Sequence, residues 1–171
     1  MVVIAIVAIS IIAGLVYFGV FGISGFDLNL NGDSDQNEVK PANSTKLTLS
    51  DNDIFIAFET LSGQDLTYST FVPYIDALHM EMWGINGNDA LSVLNSYSSK
   101  YVGEGWMSLG RNTQANTGWV AYMEGWFINQ NAKGVITGEG AAVTQVYGYD
   151  MIVLTSYGPL TTYNQFLNEL R

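Results

Sequence analysis

The chain has 171 residues, of which 48% are hydrophobic and 13% are charged, and it contains no cysteine. Its net charge of −10 at pH 7 repels nucleic acids and anionic lipid headgroups, so nucleic-acid binding is excluded. The lack of cysteine excludes a disulfide framework and an anchor built on a lipidated cysteine.

An uncharged apolar run lies at the N-terminal end of the sequence. Val2 to Phe21 contains 20 residues, and its polar groups are Ser10 and the hydroxyl of Tyr17. At about 1.5 Å of rise per residue, a helix of this length spans about 30 Å, which is the thickness of the hydrocarbon core of a bilayer. We therefore predict a transmembrane helix that contacts membrane lipid through residues 2–21.

A cleavable signal peptide, cut after Ser24, is the alternative for this run. Signal peptides have a shorter apolar region, of about 7 to 15 residues, after a basic start. No Lys or Arg precedes this run, so an uncleaved anchor is favoured. The first basic residue is Lys40, and acidic residues precede it, which favours a C-terminal domain outside the cytoplasm. Ser10 and Gly14 have the small-xxx-small spacing that permits self-association of membrane helices.

The segment 27–38, DLNLNGDSDQNE, resembles the calcium-binding loop of an EF-hand. Calcium takes six to eight oxygen ligands, which alternate Asp and Asn side chains can supply when the loop turns sharply at a glycine, here Gly32. The candidate ligands are Asp27, Asn29, Asn31, Asp33, Asp35 and Glu38. The resemblance covers the loop alone, because Ser34 replaces the usual apolar residue and Val-Lys-Pro follows in place of a helix. A calcium site and an acidic tether therefore both remain open, and calcium is the one cofactor that the sequence suggests.

The polar region after the apolar run is typical of a flexible linker, being rich in Asn, Asp, Ser and Gly without apolar periodicity. It contains the sequon Asn43-Ser44-Thr45, which makes Asn43 a candidate glycosylation site on an extracellular domain. We therefore divide the chain into a membrane anchor (residues 1–25), an acidic polar linker (26–45) and an extracytoplasmic domain (46–171).

The first elements of this domain are predicted from short apolar patterns. Two β-like runs, Leu47–Leu49 and Ile54–Phe58, are separated by a turn-type cluster and predict a hairpin. A first helix is predicted with Ser69 or Thr70 as its cap and Pro73 in its first turn. Its apolar positions are Phe71, Ile75, Leu78 and Met82.

A second helix, a sheet and a last helix are predicted to follow. Asn88 or Asp89 caps the second helix, which ends by Gly103. Its apolar positions are Ala90, Leu94, Tyr97 and Tyr101. The next region is rich in Val, Ile, Thr, Tyr and Trp, which predicts antiparallel strands. The strands are 106–109, 119–128, 135–137 with 142–147, and 151–156, with a turn at 130–134.

The last helix follows Gly158-Pro159 and is predicted to be capped by Thr161 or Thr162. Its apolar positions are Tyr163, Phe166, Leu167 and Leu170. The order of the elements indicates an α+β fold, with an antiparallel sheet of about four to six strands and helices packed on one face of it.

Few residues suggest catalysis. The single histidine, His79, follows Asp76 by three residues on the predicted helix, where the carboxylate can orient the ring. One histidine without a third ligand at helical spacing does not make a zinc site, so a structural role is favoured. The sequence has no G-x-S-x-G nucleophile and no phosphate-binding loop. A hydrolase would have to gather carboxylates into one cleft, and the candidates are Asp76, Glu81, Glu104 and Glu139. No catalytic residue is assigned, and a non-catalytic role is favoured.

The strand 119–128 carries large apolar groups on both of its faces. With alternating side chains, one face carries Trp119, Ala121, Met123, Gly125 and Phe127, and the other carries Val120, Tyr122, Glu124, Trp126 and Ile128. The sheet is then either covered on both sides or has a second face that binds a protein partner or a sugar.

Together these features favour a single-pass, surface-exposed accessory or interaction domain at the cell membrane. One alternative is a filament subunit that resembles a pilin in layout, with its apolar helix buried in a filament core. Another is an extracytoplasmic hydrolase or a calcium-dependent sugar binder. A filament subunit would self-associate, whereas an interaction domain would bind a partner.

Overall fold

The computed structural model describes residues 39–87 and 89–170, which form an antiparallel sheet of six strands with five helices. The predicted α+β class and antiparallel sheet are confirmed. The predicted membrane helix lies outside the described residues. Within them, no helix is both long and apolar enough to cross a membrane.

The elements follow one another in a simple order. They are β1 (Thr45–Lys46), α1 (Asp51–Ser62), α2 (Tyr68–Ala77), β2 (Glu81–Ile85), α3 (Ala90–Gly103), β3 (Met107–Asn116), β4 (Trp119–Ile128), β5 (Asn131–Gly140), α4 (Ala141–Tyr147), β6 (Met151–Pro159) and α5 (Leu160–Glu169). The spatial order of the strands is β1-β2-β6-β5-β4-β3. Strands β3, β4 and β5 are joined by tight hairpins, and a bulge between Ser108 and Arg111 shifts the register of β3 on β4.

Helices cover both faces of the sheet. Because side chains alternate along β4, Ala121 contributes to the buried cluster under α1, α2, α4 and α5, whereas Trp126 contributes to the cluster under α3. We call these the first face and the second face. The expectation of helices on one face alone was wrong, and the reading of β4 as a strand covered on both sides is confirmed.

The predicted strand Ile54–Phe58 is part of helix α1, so the predicted hairpin is wrong. Ser50 caps the helix in a capping box, in which its side chain accepts from the Asp53 N–H and the Asp53 carboxylate accepts from the Ser50 N–H. The buried residues recur at helical spacing and are Ile54, Ala57, Phe58 and Leu61. A short apolar run fits either periodicity, and the cap together with burial on the sheet selects the helix.

Residues 142–147, predicted as strand, belong to helix α4. Gly140, at φ 135°, ends β5, and Gly148, at φ 74°, ends the helix in the left-handed conformation. Val143 and Tyr147, one helical turn apart, both pack on the first face. Tertiary packing therefore overrides the β-propensity of this segment.

The predicted first helix also ends earlier than expected. Helix α2 ends at Ala77, and His79 adopts a left-handed φ of 42°. The Met80 N–H donates to the Ile75 carbonyl and so closes the end of the helix. Strand β2 begins one residue later, and Met82 therefore lies in β2 and not in the helix. Helix α2 begins at Tyr68 after Thr67, so neither Ser69 nor Thr70 is its cap.

Of the other predicted elements, α3 and β4 agree closely with the structure, whereas the strand predicted at 106–109 is the longer β3, and neither Thr161 nor Thr162 caps the last helix. Helix α3 has Asp89 as its cap, which accepts from the N–H groups of Leu91 and Ser92 at 3.0 and 3.2 Å. Strand β4 has the predicted bounds. The predicted turn at 130–134 is shorter, because β5 begins at Asn131. Helix α5 follows Pro159 directly and has no side-chain cap.

Candidate functional site

The candidate calcium ligands, Asp27, Asn29, Asn31, Asp33, Asp35 and Glu38, lie outside the described residues. The residues that immediately follow the loop, 39–44, form no helix. Val39 is buried on the second face, and its carbonyl accepts from the Tyr97 hydroxyl at 2.5 Å. Among the described residues, no group of three or more His, Asp or Glu side chains is placed to hold a metal ion.

The candidate glycosylation residue Asn43 lies in an exposed turn before β1, at a left-handed φ of 55°. The Ser44 hydroxyl donates to the Pro41 carbonyl at 2.7 Å and braces this turn. Thr45, the residue that completes the sequon, is also exposed. Asn43 and Thr45 of the sequon are therefore both accessible to solvent.

The carboxylates considered for a hydrolase have other partners or are far apart. Glu81 forms an ion pair with Lys46 at 2.5 Å. Glu139 accepts from the Ala90 N–H at 2.9 Å, at the N-terminus of α3. On the intervening strand β6, Glu81 pairs with Thr155 and Glu139 pairs with Met151. These two positions are four residues, or about 13 Å, apart, which is beyond the separation of a glycosidase carboxyl pair. Asp76 is exposed near the end of α2 and Glu104 is exposed just after α3.

His79 lies in the turn between α2 and β2. It lies outside the helix that was predicted to pair its ring with Asp76, and its backbone N–H donates to the Asp76 carbonyl instead. Its exposed ring stacks on Tyr157, with the ring centroids 6.1 Å apart and the planes at 21°.

An ionic network around the buried Glu124 carboxylate joins α3 to strands β3 and β4. Glu124 is 8% exposed, and its Oε2 accepts from Nε and Nη2 of Arg111 at 3.0 and 2.8 Å. Its Oε1 accepts from the hydroxyls of Ser108 and Ser98 at 2.8 and 3.2 Å. Arg111 Nη1 donates to Asn95 Oδ1 at 2.8 Å. Both oxygens of the carboxylate accept hydrogen bonds, which offsets the cost of burying its charge.

Lys133 is the second buried charge of this face, although it falls within the turn predicted at 130–134 and carried no sequence signal of burial. It is 4% exposed, and its Nζ lies 4.8 Å from the ring centroids of Tyr101 and Trp106 and 5.7 Å from that of Tyr157. Burial lowers the pKa of Lys133, while the Glu104 carboxylate acts in the opposite direction. We call Lys133 and the three aromatic residues around it, Tyr101, Trp106 and Tyr157, the Lys133 cage. Because the protein's own ammonium group fills it, the cage leaves no place for an external cation.

An open cleft of about 420 Å³ lies between the C-terminal end of α1 with the following loop and the β3–β4 hairpin. Its lining residues are Glu59, Thr60, Gly63, Gln64, Asp65, Gln114, Asn116 and Trp119. We call it the α1–β3 cleft. It is a wide depression that is open to solvent and not an enclosed cavity.

The register of the hairpin aligns three side chains along this cleft. Asn116 pairs with Trp119, and Gln114 pairs with Ala121, which belongs to the first face. Directly opposed residues of antiparallel strands share a face, so Gln114, Asn116 and Trp119 all project from the first face. These three side chains lie at the edge of the first face, beyond the C-terminal end of α1.

Gly63 shapes the other wall of the cleft. It ends α1 at a left-handed φ of 66°, and its N–H donates to the Glu59 carbonyl. A Cβ at this position would lie 2.8 Å from Gln114 Nε2. The absent side chain therefore allows the Gln114 amide to lie directly over the helix end.

The polar groups of the cleft are available to a ligand. Within the described part of the chain, the side chains of five lining residues have no hydrogen-bond or ion-pair partner; these are Glu59, Thr60, Gln64, Asp65 and Gln114. The Asn116 carboxamide oxygen accepts from the Thr117 N–H at 2.7 Å, which leaves its NH₂ group as a donor. Two carboxylates and no Lys or Arg line the cleft.

A sugar-binding surface is one of the alternatives that the sequence suggests for the other face of β4. That face is covered by α3, whereas Trp119 lies partly exposed in the α1–β3 cleft. The cleft joins segments about fifty residues apart, so no local sequence signal marks it.

Comparison of this chain with protein-family models, with curated proteins and with solved structures finds no match.

Proposed function

We propose that this chain is a single-pass membrane protein whose folded domain lies outside the cytoplasm and binds a ligand without catalysing a reaction. The α1–β3 cleft carries this proposal, since its polar side chains are free of partners among the described residues. The apolar run 2–21 supports the membrane anchor, and the acidic residues that follow it support the outward orientation.

Hydrolysis in the same cleft is a second candidate, favoured by one observation. Glu59 and Asp65 both line the cleft, and glycosidases use two carboxyl groups. One of the two must act as a general acid, which requires an apolar and buried setting. Asp65 is exposed and Glu59 is only partly buried, so we favour binding over hydrolysis.

The orientation can be tested with single cysteines, because the chain has none. Gln130, in the exposed β4–β5 turn, is changed to Cys, and intact cells are treated with a membrane-impermeant maleimide. We expect labelling of Gln130→Cys on intact cells. The matched control is Ala121→Cys, which is fully buried and should react only after denaturation.

Two outcomes would contradict this proposal. Labelling of Gln130→Cys only after the cells are permeabilised would place the domain in the cytoplasm. Recovery of the chain as a high-mass polymer after shearing of the cells would favour the filament subunit instead, because an anchored monomer stays with the detergent-extracted membrane.

A further inference from the structure

We infer that the α1–β3 cleft binds a neutral saccharide, with Trp119 as its stacking surface and the surrounding amides and carboxylates as hydrogen-bond partners. This inference rests on the proposed function, because it names the ligand class of that binding domain.

Charge excludes anionic ligands. Glu59 and Asp65 line the cleft without any Lys or Arg, and the whole chain has a net charge of −10. Phosphate, sulfate and uronic acid groups would meet two carboxylates with no compensating cation. The ligand is therefore neutral or cationic.

The hydrogen-bonding groups favour hydroxyls over a cation. Gln64, Gln114 and Asn116 supply N–H donors, while the two carboxylates supply acceptors. A cation would use the carboxylate acceptors and gain nothing from the amide N–H donors. A hydroxyl group both donates and accepts, so a polyhydroxyl compound can use both kinds of group.

Trp119 supplies the apolar part of the site. Its partly exposed indole packs against the first-face cluster, which holds the ring in place at the hairpin end. The C–H groups on one face of a sugar ring form a flat apolar surface, and an aromatic ring buries such a surface at little entropic cost. A Trp beside amides and carboxylates thus matches the two chemical surfaces of a saccharide.

Two polar groups of the cleft are restricted in position by the neighbouring backbone. The Gln114 amide lies against the backbone of Gly63, and the Asn116 side chain is fixed by its bond to the Thr117 N–H. Groups that are already held in place lose less conformational entropy when the ligand binds.

The test uses the full chain in phosphatidylcholine nanodiscs, because sugar-based detergents would compete for the site. The probes are hexasaccharides of neutral type, namely malto-, cello-, manno-, xylo- and N-acetylchito-oligosaccharides, with a hyaluronan hexasaccharide as the anionic comparison. Calorimetry and tryptophan fluorescence measure binding, and chromatography of the probe measures hydrolysis. We expect saturable binding of at least one neutral series and none of hyaluronan.

Variants then locate the site. We expect Trp119→Ala to weaken binding at least roughly tenfold, since Trp residues at the centre of a contact dominate its binding energy. Gln114→Ala should weaken it roughly 2- to 12-fold, the worth of a typical hydrogen bond. The matched control is Gln130→Ala, which makes the same change in an exposed turn outside the cleft and should leave affinity unchanged.

Thermal unfolding checks that each variant is folded. If Trp119→Ala does not fold, Trp119→Phe keeps an aromatic surface, and Gln114→Ala with Gln64→Ala tests the polar groups. Binding of no neutral probe, preference for hyaluronan, or equal affinity in the wild type and all cleft variants would each overturn the saccharide inference while leaving the maleimide result intact. Hydrolysis of a bound probe would overturn the non-catalytic function but support the saccharide class.

Discussion

Lys133 Nζ lies 4.8 Å from the centre of the Tyr101 ring, and both residues belong to the buried second face of the sheet. The ammonium group has no ion-pair partner within the described residues and is stabilised by aromatic faces instead. Because of this arrangement, the free energy of unfolding of the domain should change with pH in the alkaline range.

We expect wild type to gain stability relative to Lys133→Met as pH rises toward 10.5, the ordinary pKa of a lysine. Burial lowers the folded-state pKa of Lys133, so between that value and 10.5 the unfolded chain binds more protons than the folded one. The free energy of unfolding therefore rises with pH in this window. Urea unfolding of both proteins at several alkaline pH values measures the difference.

Lys100→Met is the control for this series, because Lys100 lies nearby on α3 but is exposed. A difference between wild type and Lys133→Met that stays constant, or that falls as pH rises, would contradict the lowered pKa of Lys133.

Removing Arg111, whose side chain is 33% exposed, from the buried Glu124 carboxylate should be costly. We expect Arg111→Met to lower the free energy of unfolding by about 3 kcal/mol, because it leaves the Glu124 carboxylate buried without its cation. The double variant Arg111→Met/Glu124→Leu should recover part of this loss, since no buried charge remains. Urea unfolding of the single and double variants measures both effects.

The exposed Lys46–Glu81 pair is the matched comparison, with side chains 56% and 37% exposed. Lys46→Met should cost less than about 1 kcal/mol, because solvent screens a surface ion pair. An equal loss for Arg111→Met and Lys46→Met would show that burial does not strengthen the Arg111–Glu124 pair.

Two glycines of ordinary backbone conformation should respond in opposite directions to the same change. A Cβ at Gly84 in β2 would overlap the ring of Tyr149, so Gly84→Ala should destabilise the domain by about 2 kcal/mol or more. A Cβ at Gly103 in α3 meets nothing within 4 Å, so Gly103→Ala should stabilise it by about 0.5 kcal/mol. Thermal unfolding distinguishes the two, and a similar melting temperature for both variants would contradict the packing of Tyr149 on Gly84.

Segment 27–38 should lack high affinity for calcium. We expect no calcium binding at micromolar concentration, because residues 39–44 form no helix to hold the end of the loop and preorganise its ligands. Calorimetry of the full chain in nanodiscs tests this, with Asp27→Ala/Glu38→Ala as the comparison. Heat at micromolar calcium that disappears in the double variant would make segment 27–38 a calcium site.

The elements with strong local signals were predictable from sequence. Strand β4 was predicted with its observed bounds because Val120, Tyr122 and Trp126 alternate with residues of the other face between clear turn signals. Helix α3 was predictable because Asp89 caps a regular apolar period that ends at a glycine. In both segments, local propensity and tertiary packing favour the same structure.

Two short segments could not be assigned locally. The run Ile54–Phe58 is apolar enough for a strand, and only its packing on the sheet behind the Ser50 cap makes it a helix. Segment 141–147 contains β-branched residues, yet it forms α4 because Val143 and Tyr147 cover the first face. Such windows are too short for periodicity to decide, so long-range burial decides instead.

The sequence by itself determined the apolar run, the acidic charge, the α+β class and the residues of the candidate calcium loop and sequon. Only the tertiary structure decided that Lys133 is buried among aromatic rings and that the end of α1 meets the β3–β4 hairpin in a cleft. The physical reason is distance along the chain: local propensity and periodicity act within a few turns or strands, whereas this cleft is formed by residues 59–65 and 114–119, which only the folding of the sheet brings together.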